Sequence, residues 1–314
     1  MAAEFWLGAT KDEYHADPAL SQSALKVFIS DPQMFYRQYV ARTEPRKPAT
    51  PSQEFGNRVE DLAFRGSMNA FTIPQGVLNE QGHRKGARWT AYENEMQAAH
   101  GANVQLLKPE EFSKPLGPGA VLQAVDALRG HQQANNLIWG ESIKNVRIRW
   151  VDELTGLQCR CEIDLLHASA IIGDLKTAMD VTVNGFHRAV LNFGYYIQAF
   201  MYREALRHVA MHLDQQEDSE VLRFARPMLE RIRDGENILC AWIAVKNKQS
   251  HYVEAHPTHD EWYVIAEPIV RAAMFDLKAA YDSGHWQTKT HGQFTNLKPL
   301  PYAYKALEEL STEE

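Results

Sequence analysis

The chain is short of cysteine, of net positive charge and of long apolar runs, and each shortage excludes something. Its 314 residues include three cysteines, Cys159, Cys161 and Cys240. The count is odd, and Cys159 and Cys161 stand two apart on one extended segment, where they cannot easily bridge each other. Packed thiols in a reducing cytoplasm are the expectation. Three thiolates also fall short of the four that an iron–sulfur cluster needs. No apolar run approaches the ~20 residues that span a bilayer, so no membrane association is expected. The opening MAAEFWLGATKDEYHAD has no basic stretch leading into an apolar one, which predicts no secretory signal.

Absent motifs narrow the chemistry further. There is no GxxxxGK[ST], hence no P-loop motor, and no GxGxxG after a strand. HExxH and CxxC are missing, which disfavours the common zinc plans, and no GxSxG elbow points to an esterase. The 13 histidines read as scattered, with His256 and His259 the close pair, placed on loop surface.

The bulk composition is that of an ordinary globular chain: 45% hydrophobic and 23% charged. Lys and Arg total 33 against 40 Asp and Glu, for a net charge of −7. That is unfavourable for a DNA-binding protein, because phosphate neutralisation builds such affinity. Distribution decides more than the total, however. Arg37, Arg42, Arg46 and Lys47 cluster, as do Arg84, Lys85 and Arg88, and Lys144, Arg147 and Arg149. Acidic residues concentrate in 214–220 and in the tail 308–314. A basic channel on an acidic body is one reading; solvated surface charge is the other.

Periodicity and punctuation predict one mixed α/β domain. Ser21 or Ser23 caps a helix to 29, and Asp31-Pro32 starts another to about 41. Residues 43–53 read as a Pro-rich loop, followed by helices over 55–64, 88–100 and 121–130. Strands fill 145–177, with one over 157–166 and the next over 170–177. A single long helix is expected over 186–213, helical character over 223–234, strands over 238–246 and 251–255, and an amphipathic helix over 260–283.

The chemistry concentrates in 159–202, CRCEIDLLHASAIIGDLKTAMDVTVNGFHRAVLNFGYYIQAFMY. Asp174 and Lys176 are two apart on a strand and share a face, with Leu175 on the other, buried face. Asp164 lies near the end of the preceding strand and can approach Asp174 across a hairpin. Gln198 and Tyr202 are one helical turn apart and share a face. Two carboxylates can hold one hard divalent ion, Mg²⁺ or Mn²⁺. Such an ion neutralises an anionic phosphodiester and acidifies a bound water. Lys176 would hold or activate that water, or stabilise charge on the phosphate. Gln198 and Tyr202 could position the lysine, the water or a phosphate. The spacing therefore points to metal-assisted phosphodiester hydrolysis.

The ordered set Asp164, Asp174-Leu175-Lys176, Gln198-x-x-x-Tyr202 resembles the PD-(D/E)XK nuclease superfamily. More closely it resembles the RecE (exonuclease VIII) family and its phage-borne relatives. Tyr14-His15-Ala16-Asp17-Pro18 with Leu20-Ser21-Gln22-Ser23-Ala24-Leu25 is similar to that family's opening. The segment from Trp150 to Cys161 is similar to its strand pair, and Ser283-Gly284-His285-Trp286 to its closing Gly-x-Trp. The resemblance implies a restriction-endonuclease-like core, a mixed central sheet flanked by helices, with an N-terminal helical layer. Its expected division is 1–54 for the helical, DNA-contacting region, 55–290 for the core and 291–314 for a tail. Arg42, Arg46, Lys47, Arg84, Lys85 and Arg88 become candidate DNA contacts.

The resemblance also implies activity and partners: Mg²⁺-dependent digestion of linear double-stranded DNA from its ends, 5′ to 3′, in recombination or end processing. A single-strand annealing protein and a homo-oligomeric ring are the implied partners. Glu60, in Phe55-Gly56-Asn57-Arg58-Val59-Glu60, falls where relatives carry a metal-binding His. It is read as a third ligand beside Asp164 and Asp174, against a plain helix-surface alternative. Glu141 and Glu162 are candidates for the surrounding layer of the site; Glu162 would add a ligand or unwanted charge. A site-specific endonuclease with the same residues, and a DNA-binding protein with a degraded site, are the rival functions.

Overall fold

Local signals place the elements. The computed structural model describes residues 4–7, 14, 16–45, 47–66, 68, 70–101, 104–248 and 250–287. In chain order, β1 (Glu4–Leu7) precedes α1 (Gln22–Ser30) and α2 (Pro32–Phe35), which continues as a π-helical turn over Tyr36–Val40. Next come α3 (Pro51–Arg65), β2 (Ala70–Thr72), α4 (Ala87–His100), β3 (Gln105–Leu107), α5 (Pro109–Phe112), α6 (Pro118–Gly130) and α7 (Gln132–Trp139). The hairpin strands β4 (Ser142–Val151), β5 (Gln158–His167) and β6 (Ile171–Ala178) follow. The rest is α8 (Val183–Phe193), α9 (Tyr195–Met211), α10 (Glu220–Arg233), β7 (Leu239–Lys246), β8 (Val253–Pro257) and α11 (Asp260–Ser283).

Six strands form one mixed sheet in the order β1-β4-β5-β6-β7-β8. Its neighbours pair antiparallel except β6 and β7, which are parallel. A parallel pair requires a crossover, and α8, α9 and α10 supply it. One core cluster packs Leu25, Phe28, Phe186, Phe200, Leu206, Leu229 and Leu277 against Ile163, Leu166 and Ile172. A second packs Phe55, Val59, Val121, Leu128 and Ile138 against Leu165, Leu175 and Ile243. Helices thus cover the sheet from two sides, and the restriction-endonuclease-like architecture expected from the sequence is present. No helix among the described residues is long and apolar enough to cross a membrane.

Several expectations are corrected. The helix expected over 186–213 is two, α8 and α9, separated at Gly194, whose φ of 62° takes the left-handed conformation. Left-handed backbone stops a helix and favours glycine. The second helix does run to about 41 as expected, but after Phe35 it widens into a π-turn, in which Ala41 N donates to Tyr36 O. The loop expected to reach 53 ends earlier, because Thr50 caps α3 by accepting from Gln53 N. The N-terminal region adds a strand as well as helices, since β1 pairs with β4 from Glu4↔Arg149 to Leu7↔Val146. Trp286 of the closing motif stacks on Phe35 at 5.9 Å. All three cysteines are free and buried, and burial pushes the Cys240 thiol up to about 12. The 291–314 tail lies outside the described residues.

Candidate active site

The site forms where regular pairing stops. The β5–β6 ladder runs His167↔Ile171, Leu166↔Ile172 and Leu165↔Gly173, and ends there. The next rung would join residues 164 and 174. On the other side, β4 pairs Lys144↔Leu165 and Val146↔Ile163 but skips Asn145, which has φ 55°. Asp164 therefore sits at a break on both sides of β5. Ile163 and Leu165, normally on one face of a strand, belong to different core clusters. The Asp164 side chain occupies the gap, and its Oδ2 accepts from Leu175 N at 3.2 Å. A carboxylate thus satisfies a β6 backbone donor that a regular ladder would have paired.

Asp174 lies beside it, 3% exposed. Its Oδ1 accepts from Gln198 Nε2 at 2.8 Å, and the same nitrogen donates to Tyr202 Oη at 2.9 Å. The four-residue spacing on α9 places both groups over β6 as the sequence predicted. Asp174 Oδ2 is 2.6 Å from Lys176 Nζ, and Lys176 lies 5.0 Å from the centre of the Tyr195 ring. Leu175 points the other way, into the cluster with Phe55 and Val59.

The electrostatics follow. Burial, then the neighbouring Asp174 carboxylate, then Glu60, hold the Asp164 carboxyl well above the usual carboxylate range; Lys176 opposes them. Burial works against the Lys176 ammonium, but Asp174 and Asp164 outweigh it, so its pKa rises above the ordinary lysine value. The two carboxylates thus favour the charged ammonium of Lys176. Burial raises the Tyr202 phenol well above its usual value, so it stays neutral.

Glu60 reaches this group because α3 packs closely on β6. A Cβ at Gly56 would lie 2.9 Å from Thr177 Oγ1, so glycine lets the helix lie against that side chain without displacing it. Glu60 follows one turn later, half-buried. The oxygen donors gathered here fit a hard divalent cation: three carboxylates act on one spot, and the buried Asp174 Oδ2 meets only the Lys176 ammonium.

Other expected residues lie elsewhere. Glu162 pairs with buried Arg147 at 2.5 Å, so its charge is met across the β4–β5 ladder. Glu141 is exposed and acts on His167 instead of the Asp164 group. Arg84 donates to Leu106 O at 3.0 Å and pairs with Glu111. Arg42, Lys47, Lys85 and Arg88 are exposed; Arg46 lies outside the described residues. His256 Nε2 lies 3.0 Å from Val181 O and His259 caps α11, both structural uses.

Two residues at the site were not anticipated. Lys26 of α1 donates to Phe193 O at 3.0 Å. Burial, then the Lys176 charge, lower its pKa to about 8, with Asp174 opposing. Tyr195 sits three residues before Gln198, so extending the Gln-x-x-x-Tyr face back one turn would have found it. Lys26 carried no such signal.

Fold and geometry together define a PD-(D/E)XK-type domain: a mixed sheet with Asp164 and Asp174-Leu175-Lys176 at a splayed hairpin, under a helix bearing Gln198 and Tyr202. Residues 21–221 match the family model described as a PDDEXK-like domain of unknown function (DUF3799), and the chain belongs to that family. Every residue of the carboxylate, lysine and glutamine group falls within that span. A comparison with curated proteins found no match. Among solved structures, the chain is similar to a crystal structure of a protein from Eubacterium rectale provisionally described as an exonuclease. The TM-score is 0.55 and the identity 14%, with 96% of this chain and 98% of the other covered. At that identity the likeness concerns the fold.

Proposed function

We propose that this protein is a divalent-metal-dependent DNA nuclease acting on the ends of linear duplex. The observation that carries the reading is the Asp174 carboxylate. Gln198 holds one of its oxygens, Lys176 faces the other, and Asp164 is pressed against it with a raised pKa. Asp164, Asp174 and Glu60 would hold the cation, Mg²⁺ or Mn²⁺, which when bound would acidify a water and neutralise the scissile phosphate. Gln198 fixes the Asp174 carboxylate so that Oδ2 stays directed at the site. Lys176, as its ammonium, orients the attacking water and offsets charge building on the phosphate. Tyr202 anchors Gln198 as an acceptor. Exposed Arg42, Lys47, Lys85 and Arg88 supply phosphate contacts.

The finer reading rests on the resemblance to RecE-type exonucleases: 5′ to 3′ polarity, a ring-shaped homo-oligomer, a single-strand annealing partner and a place in recombination. The test is incubation of end-labelled linear duplex and closed circular duplex, each with Mg²⁺ and with EDTA. Loss of linear label from one end, only with Mg²⁺, is expected, with the circle intact. Cutting of the circle would replace the exonuclease reading with an endonuclease one. No cleavage of either would leave a DNA-binding protein. Asp174→Ala should abolish cleavage, and Lys176→Ala should lower it by roughly a hundredfold or more with metal binding retained. Full activity in Asp174→Ala would refute the assignment.

A further inference from the structure

The far end of α9 carries a second group of ligating side chains. His208 and His212 are one helical turn apart, a pair that the reading of the histidines as scattered had passed over. Their rings stack with centroids 4.3 Å apart. Glu153, in the β4–β5 turn, reaches toward both. Its Oε1 lies 3.9 Å from His208 Nδ1 and 3.9 Å from His212 Nε2. One donor atom from each of the three residues lies within 4.8 Å of the other two. Along the helix, 14 residues separate Gln198 from His212, about 21 Å at the α-helical rise. This is a location distinct from the carboxylate site.

We propose that Glu153, His208 and His212 form a binding site for a transition-metal dication, with Zn²⁺ as the favoured ion. Two histidines at i and i+4 on one helix face are a known way to present imidazoles to zinc, and a carboxylate completes a three-ligand set with a fourth position open. The tautomer suits the role. His212 Nδ1 lies 2.9 Å from the carbonyl of His208, and donating there leaves Nε2 as the bare donor directed at Glu153.

The distances also suit it. Bonds of about 2.0–2.2 Å in a tetrahedron put ligand atoms about 3.3 Å apart. The two 3.9 Å separations from Glu153 need to close by about half an ångström, which its side chain, 73% exposed, can supply; the two imidazole nitrogens, within 4.8 Å of each other, would close by rotation of the rings. Its backbone is held. Asp152 Oδ1 accepts from Thr155 N at 2.9 Å, and Asp152 Oδ2 accepts from Arg271 at 2.8 Å. The group lines a cavity of about 210 Å³ with Arg207 and Met211, which leaves room for the ion and its water. Imidazole nitrogens select Zn²⁺ over Mg²⁺, so the two sites would sort ions by donor type. A bound ion would tie the β4–β5 turn to the end of α9.

The experiment is calorimetric titration of the full chain with ZnCl₂ in an Asp164→Asn, Asp174→Asn background, which removes competition from the carboxylate site. One Zn²⁺ per chain is expected, retained in a hundredfold excess of Mg²⁺. Adding His212→Ala or Glu153→Gln should weaken binding by at least about tenfold. Both positions are partly exposed, so far-UV dichroism should report an intact fold. With Co²⁺ in place of Zn²⁺, a visible tetrahedral ligand-field spectrum should appear and vanish with His212→Ala. Absence of Zn²⁺ binding in the background, or binding indifferent to both substitutions, would overturn the site.

Discussion

The Asp164 carboxyl is held above its ordinary pKa by burial and by the Asp174 and Glu60 carboxylates. Its folded-state value therefore exceeds its unfolded value near 4. Such a group supports the fold in full below about pH 4, and that support is lost as pH rises through the folded value. In the metal-free protein at pH 8, Asp164→Asn should raise the melting temperature by a few degrees, since asparagine can still accept from Leu175 N. At pH 4 the two proteins should melt alike. Calorimetry in EDTA checks this; a lower melting temperature for the variant at pH 8 would contradict the electrostatic account. Glu60 permits a second comparison. If it is a ligand, Glu60→His should keep appreciable cleavage and shift the preference from Mg²⁺ toward Mn²⁺, because imidazole is the softer donor. Loss equal to that of Glu60→Ala would count against a ligand role. The Asp, Lys, Gln and Tyr set was legible because period-two and period-four spacings fix which side chains share a face. The break at Asn145 was not: asparagine tolerates a positive φ better than most residues, but one asparagine within a strand-like run is too weak a signal to mark a break.

Among the elements, α3 and α9 bring the site together. Gly56 allows α3 to lie against Thr177, and Glu60, one turn further along the same helix, acts on Asp164. Gly56→Ala should gain about 1 kcal/mol from helix propensity. It should lose about 1–3 kcal/mol from the clash with Thr177 Oγ1. The expected net is a small destabilisation with a clear fall in cleavage, and Thr177→Ala should recover part of both. Denaturant unfolding and the linear-duplex assay read the two effects; undiminished cleavage in Gly56→Ala would show that the α3 approach does not matter. The sequence placed the ends of α11 at residues 260 and 283, where a capping His259 and a left-handed Gly284 frame the periodic run. It missed the stop at Gly194, because a glycine inside an apolar periodic run is compatible with a continuous helix as well as a left-handed cap. The short α7 and the β2–β3 pair were also missed, having too few residues to establish a period.

At the scale of the whole molecule, the mixed sheet is the device that makes a site. β6 pairs antiparallel with β5 and parallel with β7, and the crossover between β6 and β7 returns α9 over the point where β5 and β6 part. Charge is organised locally despite the net −7: Arg147 and Arg84 are engaged with Glu162 and Glu111, while Arg42, Lys47, Lys85 and Arg88 face solvent. The architecture was readable from alternating strands and helices. The edge strand β1 was not, since Glu-Phe-Trp-Leu is too short to distinguish from loop. The central claim is that side chains from β5, β6 and α3 converge on one cation. Crystals soaked in Mn²⁺ and measured for anomalous scattering test it directly. The account predicts a peak within roughly 2.0–2.6 Å of a carboxylate oxygen of both Asp164 and Asp174, absent in Asp174→Ala. A map with no peak between those two residues would contradict it.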